Sequence, residues 1–128
     1  MDYKKSVFSV RPQLVELEGK EVRVNFDTVA ETVSVSSGEG DGEGTVEQQE
    51  VYEAYVVRVE QPLGYDKVVN AIVSAAYPSD KMQAIINNHL LDSEDDDDYE
   101  AHTEEFKAMQ QWRRHAKEVA KEVIAAIV

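Results

Sequence analysis

Hydrophobic and polar residues alternate through the first half of the chain, a period of two that is typical of β-strands with one buried face. The alternation predicts strands over residues 6–10, 14–17, 21–26, 31–36 and 46–60. The second and third form a hairpin, because only Glu18-Gly19-Lys20 separates them. The last is predicted to be the longest strand and to lie centrally, since both its faces carry apolar and aromatic side chains, including Val51, Tyr52, Tyr55, Val57 and Val59.

From Tyr65 onward the apolar period changes to three and four, which indicates helices. The first helix is predicted to end at Pro78, and Ser79-Asp80 are predicted to cap a second helix that carries Met82, Ile85, Ile86, His89 and Leu90. Residues 99–128 contain neither Gly nor Pro and predict one long helix. Its apolar stripe consists of Phe106, Met109, Trp112, Ala116, Val119, Ala120, Val123, Ile124 and Ile127.

The predicted fold class is α+β, with an antiparallel meander of four or five strands followed by three helices, the last of them long. A chain of 128 residues is long enough for one core, so residues 1–128 are expected to form a single domain. Its β part covers residues 1–62 and its helical part residues 63–128. No apolar run is long enough to cross a bilayer and no leader pattern is present, which predicts a soluble, unsecreted protein.

Acidic residues dominate two loops of the chain. Residues 37–45 combine Gly with three acids and are predicted to be a flexible loop, and residues 92–98 (DSEDDDD) separate the second helix from the third. With 26 acidic against 13 basic residues, the formal net charge is −13. A field of this sign repels phosphate backbones and anionic lipids, so neither direct nucleic-acid binding nor membrane binding is expected.

The candidate chemistry is sparse, and no catalytic, cofactor or metal residues are predicted. The chain lacks Cys, and His89, His102 and His115 have no metal-ligand spacing; His115 is predicted to lie on the polar side of the long helix. Residues 92–98 do not fit an EF-hand loop, although weak calcium binding there stays open. No nucleophile motif is present, so we do not expect an enzyme.

Three features of the helical half have alternative interpretations. The basic cluster at Arg113, Arg114, Lys117 and Lys121, beside Trp112, could bind a phosphate or an RNA base, although the net charge of −13 opposes a polyanion. Otherwise it pairs with Glu118 and Glu122, or meets an acidic patch on a partner or on another copy. Asn87-Asn88 indicates either a helix end or a polar contact. The uncharged end VIAAIV (residues 123–128) either packs on the sheet or joins subunits.

Three segments of the helical half resemble a family of small proteins encoded by tailed bacteriophages and prophages of gut bacteria. They are YDKVVNAIV (residues 65–73), YPSDKMQAIINN (residues 77–88) and FKAMQQWRRHAK (residues 106–117), and the resemblance extends over roughly residues 65–127. It implies a phage context, with location in the host bacterial cytoplasm during assembly and in the virion as a further option. It brings no catalytic residues, and its NN and WR positions are here Asn87, Asn88, Trp112 and Arg113.

The leading functional hypothesis is a non-enzymatic phage structural or virion-assembly protein that binds virion or assembly proteins, or further copies of itself. Its candidate partner-contact residues combine buried-type aromatics, an arginine and the two amides: Trp112, Arg113, Asn87, Asn88, Tyr52 and Tyr55. The alternative is an acidic decoy that occupies the DNA site of a host DNA-binding or defence protein, as the net charge of −13 suggests.

Overall fold

The computed structural model describes residues 1–36 and 46–127, so the predicted flexible loop 37–45 lies outside the described residues. Four strands, β1 (Ser6–Phe8), β2 (Val15–Glu18), β3 (Glu21–Ser36) and β4 (Val46–Glu60), form one antiparallel sheet in the order β1-β4-β3-β2. Three helices follow: α1 (Tyr65–Ala76), α2 (Ser79–Leu91) and α3 (Tyr99–Ile127). The α+β class, the strands preceding the helices and the long last helix are therefore confirmed.

The two strands predicted over residues 21–26 and 31–36 are one continuous strand, β3. A β-bulge between Phe26 and Val29 connects them, because both Asp27 and Thr28 lie opposite the single residue between Tyr55 and Glu53 on β4. β3 has 16 residues and β4 has 15, so the prediction that residues 46–60 form the longest strand was wrong by this margin. β4 does lie inside the sheet, between β1 and β3.

The main core lies between one face of the sheet and helices α1 and α3. The sheet contributes Val24, Phe26, Val57 and Val59, while the helices contribute Val68, Ile72, Val73, Ala116, Val119, Ala120 and Val123. A smaller core joins α2 to the other two helices through Ala76, Tyr77, Ile85 and Met109. The three-and-four spacing thus identified the buried stripes of α1 and α3, because positions with that spacing share one side of a helix.

The ends of α2 differ from the sequence prediction. The N-cap residue is Pro78, Ser79 is the first helical residue, and no side chain caps this end. Asn87 and Asn88 lie within α2, which continues to Leu91, because the packing of Ile85 and the helical hydrogen bonds outweigh the weak helix preference of asparagine. Leu90 and Leu91 are 72% and 83% exposed.

The end of α3 packs only in part. Val123 is fully buried and Ile124 half-buried, whereas Ile127 is 46% exposed at the border of an apolar groove of about 350 Å³ that Leu17, Pro62 and Leu63 also line.

Among the described residues, none of the helices is both long enough and apolar enough to traverse a lipid bilayer.

Candidate interaction surface

Beyond the bulge, β3 and β4 continue as a two-stranded ribbon, here defined as residues 29–36 and 46–53. Its register extends from Val29 opposite Glu53 to Ser36 opposite Val46, roughly 23 Å at ~3.3 Å per residue. β1 pairs with the ribbon only at Tyr52 and Glu53. None of the ribbon side chains that the structure describes is buried, so the ribbon projects from the body without contributing to its core.

The bulge fixes which side chains of the ribbon face the helical side of the sheet. Phe26 and Tyr55 lie opposite each other and pack on the helices, and side chains alternate between faces along a strand. The extra residue at the bulge resets this alternation in β3. The ribbon face that continues from Tyr55 therefore carries Val29, Glu31, Val33, Glu47, Gln49, Val51 and Glu53.

Asp27 is the residue that makes the bulge, and α3 holds it in place. Its φ is 54°, in the left-handed region that few residues other than Gly adopt, with Asp and Asn among the more tolerant. His115 Nε2 donates to the Asp27 carboxylate at 2.7 and 2.8 Å, and Lys5 Nζ donates to the Asp27 carbonyl at 2.7 Å. The base of the ribbon is thus attached both to α3 and to the N-terminal segment.

An aromatic cluster stands directly beside this attachment point. Trp112 lies 5.4 Å from Tyr55 and 6.0 Å from Phe26 between ring centroids, and Tyr3 stacks on Tyr55 at 4.8 Å. The Tyr3 hydroxyl donates to the Val56 carbonyl, and burial raises the pKa of Tyr3 to about 12, so the hydroxyl keeps its proton at neutral pH. The cluster joins the N-terminal segment, both long strands and α3.

The structure brings Trp112 and Tyr55 together but not with the other predicted contact residues. The Trp112 Nε1–H donates to the Ile72 carbonyl at 3.0 Å, so this side chain already has partners within the chain. Tyr52 lies on the opposite face of the sheet, with the Arg11 guanidinium 5.7 Å from its ring centroid. The proposed roles of these three residues in partner contact stay predictions.

The remaining predicted contact residues lie elsewhere on the helices. Arg113 is half-buried on α3, Asn87 is exposed on α2, and Asn88 is half-buried, with its carbonyl accepting from the Asp92 N–H at 3.1 Å. None of them is in the ribbon or the aromatic cluster. These positions also stay predictions.

Basic residues are concentrated on one side of α3, a set we call the basic stripe: Lys107, Arg113, Arg114, Lys117 and Lys121. Successive helical residues turn by about 100°, so these five fall within a sector of roughly 120°, and Glu118 and Glu122 lie outside it. Within residues 1–36 and 46–127, only Lys107 of the stripe forms an ion pair, with Glu104 at 3.8 Å. The predicted pairing of the cluster with Glu118 and Glu122 is therefore not formed.

A cleft of about 320 Å³ opens beside the His115–Asp27 pair, and Arg11, Thr28, Glu118 and Glu122 contribute to its lining. The sequence placed His115 on the polar side of α3, but the bulge brings Asp27 to it. Within the described residues, no hydroxyl hydrogen-bonds to His115, and its ring contacts the Asp27 carboxylate. The described part of the chain contains no group of three or more His, Cys, Asp or Glu residues able to hold a metal.

His102 connects the two ends of the acidic loop. Its Nδ1 hydrogen-bonds to the carboxylate of Asp92, which follows α2, while His102 itself lies in the first turns of α3. The hydrogen bond to Asp92 raises the pKa of His102, burial opposes the rise, and the carboxylates of Asp92, Asp98 and Glu105 add to it. Protonation of His102 therefore strengthens the connection between the two helices.

This pair predicts a pH-dependent contribution to stability. A histidine whose pKa is raised by folding stabilises the folded protein fully at a pH below its unfolded pKa of about 6.5. This stabilisation is lost as the pH rises through the pKa that the histidine has in the folded protein. We expect wild type to melt at a higher temperature than His102→Gln at about pH 5, with the difference shrinking towards about pH 9. Thermal melts of both proteins across this range would measure it.

Asp92→Asn is the matched control, because it removes the charge that His102 contacts while keeping the side chain's shape. The difference in melting temperature between wild type and Asp92→Asn should also shrink as pH rises. A difference between wild type and His102→Gln that stays constant or widens as pH rises would contradict the linkage.

Comparisons with known proteins find no match to this chain among protein-family models, curated proteins or solved structures. The phage resemblance of the helical half stays a prediction. The surfaces on which a function can be built are those described above: the ribbon, its attachment at Asp27, and the basic stripe.

Sequence reasoning missed the contacts that build the base of the ribbon, which are made by Tyr3, Lys5, Asp27 and His115. A weak signal was present for one of them. Asp27 interrupts an otherwise regular alternation between Phe26 and Val29, and Asp is one of the few residues that tolerate a positive φ. Tyr3, Lys5 and His115 make contacts between distant parts of the chain, and a single sequence has no local signal for such contacts.

Proposed function

We propose that this chain is a non-enzymatic phage structural or virion-assembly protein that binds its partner through the ribbon. The observation that carries the proposal is that two strands extend roughly 23 Å past the bulge and that none of their described side chains is buried. Uncovered strands present free backbone hydrogen-bonding groups along their edges, and such edges readily pair with another chain. The attachment of Asp27 to α3 gives this arm a fixed direction relative to the body.

The chemistry of the ribbon suits a protein partner. Its helical-side face places Val29, 46% exposed, and half-buried Val33 and Val51 among the acidic residues Glu31, Glu47 and Glu53. Apolar positions edged by charge are typical of protein interfaces with a dry centre and a polar rim. The resemblance of the helical half to small phage-encoded proteins points to virion or assembly proteins as the partners.

A ribbon-less variant tests the proposal. Replacing residues 31–51 with Asn-Gly joins Ala30 to Tyr52, which face each other across the ribbon, through a two-residue hairpin turn. We expect its body to melt near the wild-type temperature, because no described ribbon side chain is part of the core. In phage-producing cells, tagged wild type should retain portal, capsid or tail proteins or be present in purified virions, and the ribbon-less variant should lose both.

Leu90→Ser/Leu91→Ser provides the matched control on a different surface. These are the two leucines of α2, both exposed and both outside the ribbon, so this variant should keep the partner. Retention of the partner by the ribbon-less variant would overturn the ribbon as the binding arm, whatever the leucine variant does.

The acidic-decoy alternative gains support from one observation. Glu31, Glu47, Glu50 and Glu53 lie on the ordered strands of the ribbon and form no ion pair among the residues described. A decoy of this kind would be absent from virions and would retain a host DNA-binding protein that added salt releases. The same pull-down therefore separates the two functions.

A further inference from the structure

The ribbon and the basic stripe carry opposite charges, and most of these charges have no ion-pair partner within the described residues. The ribbon acids Glu31, Glu47, Glu50 and Glu53 have no ion-pair partner within the described residues, and the same holds for Arg113, Arg114, Lys117 and Lys121 of the stripe. Clustered charges of one sign repel each other, so each surface is stabilised by a partner of the other sign.

The basic stripe is also the main concentration of cations in an acidic protein. It holds five of the 13 Lys and Arg residues, while the chain as a whole carries a net charge of −13. Any two copies therefore repel each other over most of their surfaces. Attraction between copies is favoured where the ribbon of one approaches the stripe of another.

The two surfaces match in length. On the helical-side face of the ribbon, Glu53 and Glu47 are six residues apart, roughly 20 Å at ~3.3 Å per residue. On α3, Lys107, Arg114 and Lys121 follow each other at seven-residue intervals and span roughly 21 Å at ~1.5 Å per residue. A strand laid along this line of cations places acids at both of its ends.

The stripe also offers an apolar recess for the valines between those acids. A groove of about 300 Å³ lies along α3, lined by half-buried Phe106 and by Lys107, Gln110, Gln111 and Arg114. Lysine and arginine stems add apolar surface beneath their charged ends. Val51 lies between Glu47 and Glu53 on the same ribbon face, so it is the apolar side chain that would meet this groove if the strand lies along the stripe.

We infer that the protein self-associates by laying the ribbon of one copy along the basic stripe of α3 in a second copy. The inference rests on the proposed function and names one partner for the same arm. Each copy has one ribbon and one stripe, so the contact joins two different surfaces. An exchange of ribbons between two copies closes a dimer, and a one-way contact extends a chain.

Charge reversal on each side tests the contact in trans. Lys117→Glu/Lys121→Glu and Glu31→Lys/Glu47→Lys should each weaken self-association about tenfold or more, since each replaces two attractions with two repulsions. Mixed together, the two variants should associate again, because the acidic ribbon of the first meets the basic stripe of the second. Sedimentation velocity over a concentration series measures all three samples.

Lys4→Glu/Lys20→Glu is the matched control for Lys117→Glu/Lys121→Glu, because it makes the same two Lys→Glu changes at exposed positions outside the stripe. It should associate like wild type. Raising the salt concentration from about 0.05 M to about 0.5 M should weaken wild-type association, because mobile ions screen exposed charges.

The self-contact would be overturned by a wild type that stays monomeric across the series, by association that ignores salt and both charge reversals, or by a mixture of the two variants that fails to associate. The first two results would not decide the proposed function, which the pull-down with the ribbon-less variant tests separately. A ribbon-less variant that loses its phage partners but still self-associates would also overturn the ribbon as the self-contact, because that variant lacks residues 31–51.

Discussion

Trp112→Ala is expected to lower the free energy of unfolding by about 3 kcal/mol, the typical cost of removing a large aromatic side chain from a packed site. The indole contacts the rings of Tyr3, Phe26 and Tyr55, and its N–H donates to the Ile72 carbonyl at 3.0 Å. Truncation would leave a cavity at the point where α1, α3 and both long strands meet. Urea denaturation of the two proteins measures the difference.

Trp112→Phe is the control for this prediction. It keeps a ring in the cluster but removes the N–H donor, so it should cost about 1 kcal/mol, the usual net value of one hydrogen bond, plus the smaller packing loss. A Trp112→Ala protein as stable as wild type would show that the cluster does not hold the fold. If Trp112→Ala remains folded and is still incorporated into particles, Trp112 is not a partner anchor.

Asp27→Val is expected to destabilise the protein by about 2 kcal/mol, chiefly because a β-branched residue is strained in the left-handed region. The Asp27 backbone has a φ of 54°, and valine cannot supply the carboxylate that His115 contacts at 2.7 Å. That pair is partly exposed to solvent, so its loss contributes less to the destabilisation than the backbone strain does. Urea denaturation again provides the measurement.

Asp27→Gly and Asp27→Asn separate the two effects. Glycine adopts a positive φ without strain but lacks the side chain, and asparagine tolerates the same φ and keeps an oxygen for His115 to contact. Both should therefore destabilise less than valine. Equal losses for all three variants would mean that the carboxylate, rather than the backbone conformation, determines stability at the bulge.

The same substitution affects the ribbon. If the bulge sets the direction of the arm and the faces that its side chains occupy, Asp27→Val should also weaken partner retention, whereas Asp27→Asn should preserve it. A pull-down with both variants at a temperature where each is folded would show this. Full retention by Asp27→Val would mean that the arm reaches its partner regardless of the bulge.

Much of the candidate surface was out of reach of sequence reasoning. The basic cluster on α3 was recognised, but Glu118 and Glu122 follow its members at intervals that allow ion pairs, and spacing alone could not show that these pairs are absent. His115 was assigned to the polar side because it lies off the main apolar stripe. Its contact with Asp27, 88 residues away along the chain, depends on how α3 crosses the sheet.

Periodicity by itself determined most of the secondary structure, because alternation and three-and-four spacing each describe which side chains share one face of a strand or helix. The sequence therefore predicted the α+β class, the internal position of β4, and the long α3 with its buried stripe from Met109 to Val123. Pro78 likewise indicated where α1 stops and α2 begins.

Only the tertiary structure decided that two predicted strands join through a bulge into β3, and that β3 and β4 leave the body as a ribbon. A bulge depends on one backbone conformation at Asp27, which the contacts from Lys5 and His115 hold, and those contacts come from parts of the chain that meet only on folding. Exposure of the ribbon has the same origin, since it depends on where α1 and α3 end on the sheet. The local pattern of valines and acids in the ribbon is the same whether a helix covers it or not.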